Sequence, residues 1–263
     1  MSRRIGVFDR SGIESLRKEL RIDPHSVRQL RNDLFKHFLS DEDALSRFSA
    51  ADRVAVHSLE MYHRRDSMFD GATKLLLKTA AGMLIESVIL RVASGRTTLC
   101  VSSQIGCAAA CDFCATGKMG IARNLAAAEI LDQLLIAGQL LRTEKRSVRN
   151  VVFMGMGEPF HNEENLYQSL ESLISQDLFH HSPTKVLIST VGIADAMIRC
   201  AKRFPKVNLA LSLHSVRQDV REQLIPLARL YRLKQLRETV IEINALTGSP
   251  VMIEYLMLAG RND

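Results

Sequence analysis

Thr97-Thr-Leu-Cys100-Val-Ser-Ser-Gln-Ile-Gly106-Cys107-Ala-Ala-Ala-Cys111-Asp-Phe113-Cys114 is the stretch around which the rest of the chain is organised. Residues 97–101 are β-prone and read as a short strand. A loop then carries cysteines in a C-x3-C-x2-C spacing. Four of the five cysteines, Cys100, Cys107, Cys111 and Cys114, lie in this stretch, and only Cys200 stands apart. Clustered thiols of this kind point to metal binding or catalysis rather than to a disulfide framework. Three thiolates on one tight loop can hold three irons of a cubane cluster and leave the fourth open to another ligand. Two other readings stand beside it. A structural zinc wants four ligands, usually in two pairs, and Cys100 as the fourth would sit inside the strand. Inert buried cysteines are the third reading, since free Cys is often buried.

Downstream, strands and helices alternate. The pattern predicts helices over 126–142, 165–176, 193–204 and 233–246, and strands over 150–154, 185–190, 207–213 and 251–258. Counted from Thr97 there are five strands with helical crossovers, the sign of a parallel sheet or barrel. Upstream, 73–79 and 83–92 are apolar runs joined by Ala80-Ala81-Gly82, which predicts a β-hairpin with the glycine in the turn. Residues 1–65 read as a polar helical module of two or three helices. Ser11 is expected to cap a helix from Gly12, and Asp23-Pro24 to open one through Phe38 with Leu30 and Leu34 on its apolar face. Asp41 is expected to cap another. The expected division is a helical module over 1–65, a hairpin extension over 66–95 and an α/β core over 96–263.

Composition narrows the class. The 263 residues are 46% hydrophobic and 24% charged, which excludes a disordered chain and a disulfide-dense miniprotein. No apolar run reaches the ~18–20 residues that span a bilayer, and Met1-Ser2-Arg3-Arg4 leads into no apolar signal segment. A cytoplasmic protein without a membrane partner is expected. Lys and Arg number 35 against 29 Asp and Glu, a net charge of +6. Residues 1–150 hold 23 basic against 17 acidic groups, hence the whole excess, while the remainder balances at 12 each. That suits an anionic partner such as RNA, or an ordinary solvated surface.

The flanking motifs resemble the radical S-adenosylmethionine (SAM) superfamily, and within it the RlmN/Cfr family of RNA adenosine methyltransferases. The resemblance rests on Arg96-Thr-Thr-Leu-Cys100 through Cys107, on Phe113-Cys114-Ala-Thr-Gly117 and on Arg123-Asn124-Leu125. It continues through Phe153-Met-Gly-Met-Gly157-Glu158-Pro159, Ile188-Ser189-Thr190-Val-Gly192, Leu211-Ser212-Leu213-His214 and Glu254 through Asp263. The hairpin joins in through Asp70-Gly-Ala-Thr-Lys74 and Ile85-Glu86-Ser-Val-Ile89. The similarity spans roughly residues 66–263, and the helical start more loosely.

The resemblance implies an α/β fold with a partial (β/α)6 radical SAM barrel, five of its six strands present, behind the helical module and hairpin. It implies a 4Fe-4S cluster held by Cys107, Cys111 and Cys114, with SAM on the open iron. Reductive cleavage of SAM would then give a 5′-deoxyadenosyl radical; the hard chemistry belongs to the cofactor. Phe113 is implied to pack beside the cluster or the adenine, or to fill core. Gly157, Glu158, Ser189, Ser212, Leu213 and His214 are implied as SAM contacts at strand ends, where barrel enzymes build sites. Glycine permits close backbone approach and a carboxylate suits the SAM ammonium. As a phosphate loop the Gly-Met-Gly-Glu-Pro run lacks the Gly-Lys-Ser/Thr ending. Taken singly, Ser189 and His214 also read as structural residues. Glu86 is implied in proton handling at the target adenine, or is an outward charge on a strand. Cys100 matches the thiol that takes a proton from the methylated adduct, which needs surroundings that lower its pKa.

The implied partners are 23S ribosomal RNA or transfer RNA, methylated at adenine C2 or C8, and a one-electron donor such as flavodoxin or ferredoxin. The implied protein is a monomer. The family carries its methyl group on a cysteine beyond the fifth strand, and Cys200 does not match that segment. The alternative expectation is therefore a methylation-incompetent protein that binds the cluster, SAM and RNA.

Overall fold

Asp9 starts the first helix by accepting a hydrogen bond from the Gly12 amide at 2.8 Å. Such a cap satisfies one of the amides that a helix start leaves orphaned. The computed structural model describes residues 4–263. In chain order its elements begin with β1 (Ile5–Gly6), α1 (Arg10–Glu19), α2 (Pro24–Phe35), α3 (Asp41–Leu45) and β2 (Val54–Ala55). Then come β3 (Leu59–Asp66), β4 (Thr73–Thr79), β5 (Leu84–Arg91), β6 (Thr97–Cys100), β7 (Gln104–Gly106), α4 (Ala115–Lys118) and β8 (Ile121–Asn124). They are followed by α5 (Ala127–Thr143), β9 (Asn150–Phe153), α6 (Glu163–Ile174), β10 (Val186–Thr190) and α7 (Ala194–Arg203). The last are β11 (Asn208–Ser212), α8 (Gln218–Leu224), α9 (Leu233–Thr247) and β12 (Met252–Glu254).

The chain divides into two compact units. The first comprises the residues up to Leu99 with Ala126–Arg149 and Tyr167–His181; the second comprises Cys100–Leu125, Asn150–Leu166 and Ser182–Asp263.

In the first unit β3, β4 and β5 form an antiparallel meander, with Leu77 facing Ile85 across the hairpin. Strict alternation puts Leu75, Leu77, Ile85 and Ile89 on the buried face and Lys74, Leu76 and Glu86 on the other. Gly82 turns the hairpin with φ +78. Asp132 of α5, fully buried, accepts the Ser58 and Leu59 amides at 2.6 and 2.8 Å and the His57 ring at 2.6 Å. A buried carboxylate persists only with partners of this kind. Phe8, Phe35 and Phe179 pack at 5.0–6.5 Å between centroids.

In the second unit β9, β10, β11 and β12 lie side by side and parallel, in sequence order. Parallel neighbours require crossovers; α7 joins β10 to β11, and α8 and α9 join β11 to β12. The buried face of α7 holds Ala194, Ala196, Met197, Cys200 and Ala201. Cys200 is therefore core, its thiol pushed up to about 12 by burial. This is a mixed α/β fold.

Several expectations are corrected. Asp9 rather than Ser11 caps α1. α2 ends at Phe35, and Phe38 lies beyond it in the left-handed region at φ +50. Ser40 rather than Asp41 caps α3. Residues 1–65 are not all helical: β1 pairs β2, and β3 adds a third strand to the hairpin. The run Glu60 to Asp66 is polar and exposed on both faces, so it lacks the one-sided apolar pattern that announces a strand. The β7–β8 ribbon around the cysteine loop was also not expected.

Candidate functional site

The cysteine loop is built by close backbone approach. β7 runs antiparallel to β8 with a register shift at Gly106. Gly106 has φ +80, and a Cβ there would collide with the Gly120 carbonyl. That carbonyl accepts the Cys107 amide at 2.8 Å, which sets the first thiol. Ala110 adopts φ +52 between Cys107 and Cys111, and the Cys114 amide bonds the Cys111 carbonyl at 3.1 Å. Gly117 lets α4 pass the Cys111 backbone, where a Cβ would sit 2.9 Å from both its N and O. The Asp112 amide then ties the loop to the Leu224 carbonyl at 2.9 Å.

A second close approach aligns the Gly155-Met-Gly157-Glu158 turn. The Met156 amide bonds the Ser102 hydroxyl at 2.9 Å, and the Met156 carbonyl accepts the Ser103 and Gln104 amides at 2.9 and 3.1 Å. A Cβ on Gly157, whose φ is +105, would meet Gln104 at 2.6 Å. The buried Gln104 amide accepts from the Glu158 N–H at 2.8 Å and donates to Asn124 at 2.7 Å. A Cβ on Gly155 would meet the Val101 carbonyl at 2.7 Å, so both glycines of the turn are required by close packing.

These loops and the ends of β9, β10 and β11 enclose an open cavity of about 260 Å³. It is lined by Cys107, Cys111 and Cys114, by Phe113, Gly157 and Glu158, and by Ser189, Ser212, His214 and Glu254. Nine of the twelve residues expected to act in the site therefore line one cavity. Leu213 adjoins it through the backbone, donating to the Glu254 carbonyl at 3.0 Å. Cys100 ends β6, half-buried and outside this lining, and burial pushes its thiol up to about 11. Its surroundings raise the pKa where a base would need it lowered. Glu86 stands outward on β5 in the first unit, paired with Lys74 at 3.0 Å.

Electrostatics separate the roles. Glu158 is buried, and burial raises it to about 7 against the hydrogen bonds it accepts. Those come from the Phe160 and Val191 amides at 3.0 and 2.8 Å. The side chain therefore ties the Glu158 turn to the end of β10. His214 sits at φ +56, and its Nδ1 accepts the Leu256 amide at 3.0 Å. Burial holds its pKa low, so the ring is neutral with its proton on Nε2. Phe113 meets it edge-on, 4.8 Å between centroids. Ser189 and Ser212 both donate to Glu254, at 2.8 and 3.0 Å, across the ends of three adjacent strands.

Glu254 and Arg221 were not anticipated. Glu254 is in register with Ser212 on the neighbouring strand, a signal that pairing alone reveals. Arg221 is fully buried on α8, a helix position that reads as surface in sequence. It donates to the Leu213, Val191 and Ser212 carbonyls at 3.0, 2.6 and 3.2 Å, while its buried Nη1 has no partner.

The thiols suit an iron–sulfur cluster. Burial raises Cys107, and burial together with the neighbouring thiols pushes Cys111 to about 12. A cationic metal group at the loop would lower these pKa values and hold the thiols as thiolates. Three thiols sharing one cavity are the donor set of an iron–sulfur cluster.

Residues 101–263 match the radical SAM superfamily. The chain belongs to the radical SAM superfamily. A protein named probable RNA methyltransferase from Rhodopirellula baltica is 58% identical over 98% of this chain and 68% of its own length. A probable dual-specificity RNA methyltransferase RlmN from Aquifex aeolicus is 38% identical over 95% of this chain and 74% of its own. A crystal structure of a radical SAM methyltransferase from Sphaerobacter thermophilus superposes with a TM-score of 0.90 at 32% identity, covering 98% of this chain and 78% of that one. Within the superfamily, the chain's homologues are thus RlmN-like RNA methyltransferases. The radical SAM superfamily uses a 4Fe-4S cluster and SAM, and the cysteine loop has the donors for the first. Among the described residues no helix is long and apolar enough to cross a membrane.

Proposed function

We propose that the protein is a radical SAM methyltransferase that methylates an adenosine, at C2 or C8, of 23S ribosomal RNA, with transfer RNA as a further substrate. The observation that carries this reading is the single cavity shared by Cys107, Cys111, Cys114, Gly157, Ser189, Ser212 and His214. It is read as the mouth of a partial (β/α)6 barrel, supported by the parallel order β9 to β12 and the likeness to the Sphaerobacter enzyme.

Cys107, Cys111 and Cys114 would hold the 4Fe-4S cluster. When bound, the cluster and SAM supply one-electron cleavage of a carbon–sulfur bond and so a carbon radical. The chain's own groups bind and orient. Gly157 lines the cavity, its missing Cβ making room for Gln104 so that the turn can lie there. The Ser189 and Ser212 hydroxyls with Glu254 form an anionic, hydrogen-bonding rim suited to the SAM ammonium. His214 offers an Nε2–H donor, Phe113 an apolar wall, and Leu213 its backbone. Glu158 braces two loops, and its carboxyl sits close enough to neutrality to become an anion beside a cation. Glu86 and Cys100 are assigned proton handling at the adenine. Burial keeps the Cys100 proton in place at neutral pH, so service as a base requires surroundings that lower its pKa. A flavodoxin or ferredoxin would deliver the electron, to a monomer in the cytoplasm.

The test is anaerobic reconstitution. About four irons per chain, SAM-dependent 5′-deoxyadenosine and methyladenosine in ribosomal RNA digests are expected. A colourless protein with one zinc would overturn the reading. SAM cleavage without methyladenosine would favour the methylation-incompetent alternative.

A further inference from the structure

A second cavity, also of about 260 Å³, opens between α1 and α2 in the first unit. Its walls carry Arg17, Arg28, Arg31 and Lys36, with Glu14 and Asp177 at the edge. Both carboxylates are already engaged: Glu14 pairs with Arg17 at 2.7 Å, and Asp177 pairs with Arg10 at 2.8 Å. Arg28, Arg31 and Lys36 form no ion pair among the described residues. Arg31 is held back against the wall, and its buried Nε has no hydrogen-bond partner. Burial and then the neighbouring Arg10 disfavour its charge, against a weaker pull from Asp177 and Glu14. A buried donor left unmade is costly, and a guanidinium regains that cost from an oxyanion.

We propose that this cavity is a phosphate-binding site and that its occupant is a backbone phosphate of bound RNA. Three arguments favour a phosphodiester over a small free anion. The cavity is open to solvent along the exposed side chains of Arg28 and Lys36, so a continuous strand can pass across it. The basic excess of the chain lies wholly in residues 1–150, the part that holds this cavity (23 basic against 17 acidic). Finally, the two carboxylates of the lining are each paired to another arginine, Glu14 to Arg17 and Asp177 to Arg10, and favour the Arg31 charge only at a distance. The RNA occupant rests on the RNA-methylating function proposed above; the phosphate chemistry does not. Arg31 supplies the fixed fork, with Arg28 and Lys36 as mobile charges at the mouth.

The test uses the full chain, a short single-stranded oligoribonucleotide and, separately, inorganic phosphate at matched ionic strength. The Arg31 Nε–H resonance is followed by NMR, assigned by its loss in R31K. Affinity is measured against salt for the wild type and for the exposed-site variant R28Q/K36Q. RNA is expected to shift the Arg31 resonance, and the double variant to lower the log–log salt slope by about 0.7 per lost phosphate, with roughly tenfold weaker binding. SAM cleavage should be unchanged in the variant. If RNA binds both proteins with the same slope, the proposal fails and the RNA-directed function stands. If the wild type binds no RNA while inorganic phosphate moves Arg31, the RNA-directed function fails and the cavity is a free-anion site. If neither probe moves Arg31, the phosphate site itself is overturned.

Discussion

The Arg221 Nη2 donates to the Val191 carbonyl at 2.6 Å, joining α8 to the loop after β10. The same side chain holds the Ser212 and Leu213 carbonyls after β11, so one buried cation fixes the ends of two strands that carry site residues. Its cost in a low-dielectric interior is large unless hydrogen bonds and a counter-charge offset it. Nε and Nη2 make their hydrogen bonds, while the buried Nη1 has no partner. The counter-charge within reach is Cys111, whose ionised form would favour the guanidinium.

Replacing Arg221 with Met leaves three part-buried carbonyls short of a charged donor. Bonds to charged groups are worth ~1.5–3 kcal/mol each before relaxation, so R221M is expected to lose about 3 kcal/mol in denaturant unfolding. It should also bind less iron on reconstitution. An unfolding midpoint equal to wild type would show that Arg221 is not the brace described.

Gly106 of β7 packs against Gly120, just before β8, but their substitutions should differ sharply. Both have positive φ, +80 and +70. A Cβ on Gly120 meets nothing within 4 Å, whereas one on Gly106 strikes the Gly120 carbonyl. Gly120→Ala should therefore cost about 1 kcal/mol of backbone strain. Gly106→Ala must move the backbone that sets Cys107, and should cost more than about 3 kcal/mol and abolish iron binding. Unfolding curves and iron content of the two variants, taken side by side, decide this; equal losses would contradict it.

Glu254 is the common acceptor of Ser189 and Ser212. If this rim receives the SAM ammonium, Glu254→Gln should weaken SAM binding about tenfold, since a charge-assisted bond is roughly twice as strong as a neutral one. The Ser189→Ala variant should weaken it less, because Glu254 keeps Ser212. Equilibrium dialysis of reconstituted protein with SAM measures both. Unchanged affinity in Glu254→Gln would remove Glu254 from the binding surface.

His57 predicts a pH dependence. Burial opposes its charge, but hydrogen bonds to Asp132 and Asp41 outweigh burial and raise it to about 10 from 6.5. A raised histidine adds stability that is fully present below its unfolded pKa and lost as pH rises through the folded value. Stability should therefore decline by a few kcal/mol between about pH 6.5 and pH 10. His57→Gln should be less stable at neutral pH and lose most of that slope. A wild-type urea midpoint that is flat over this window would contradict the charged pair.

The residues of the candidate site were legible in sequence wherever local patterning sufficed. Cys107, Cys111 and Cys114 sit on one loop, so spacing alone places their thiols near one another. The apolar runs at β4, β5, β9, β10 and β11 declare strands by composition. Strand β3 escaped because Glu60 to Asp66 has no apolar face, and its pairing partner β4 alone makes it a strand. Spacing on the chain therefore determined the cysteine loop and the α/β alternation. Only the tertiary structure decided that Ser189, Ser212 and Glu254 share one carboxylate, that Glu158 braces two turns and that Arg221 is buried. Those relationships join residues 8 to 65 positions apart. They come from the lateral order of parallel strands, which no local pattern encodes.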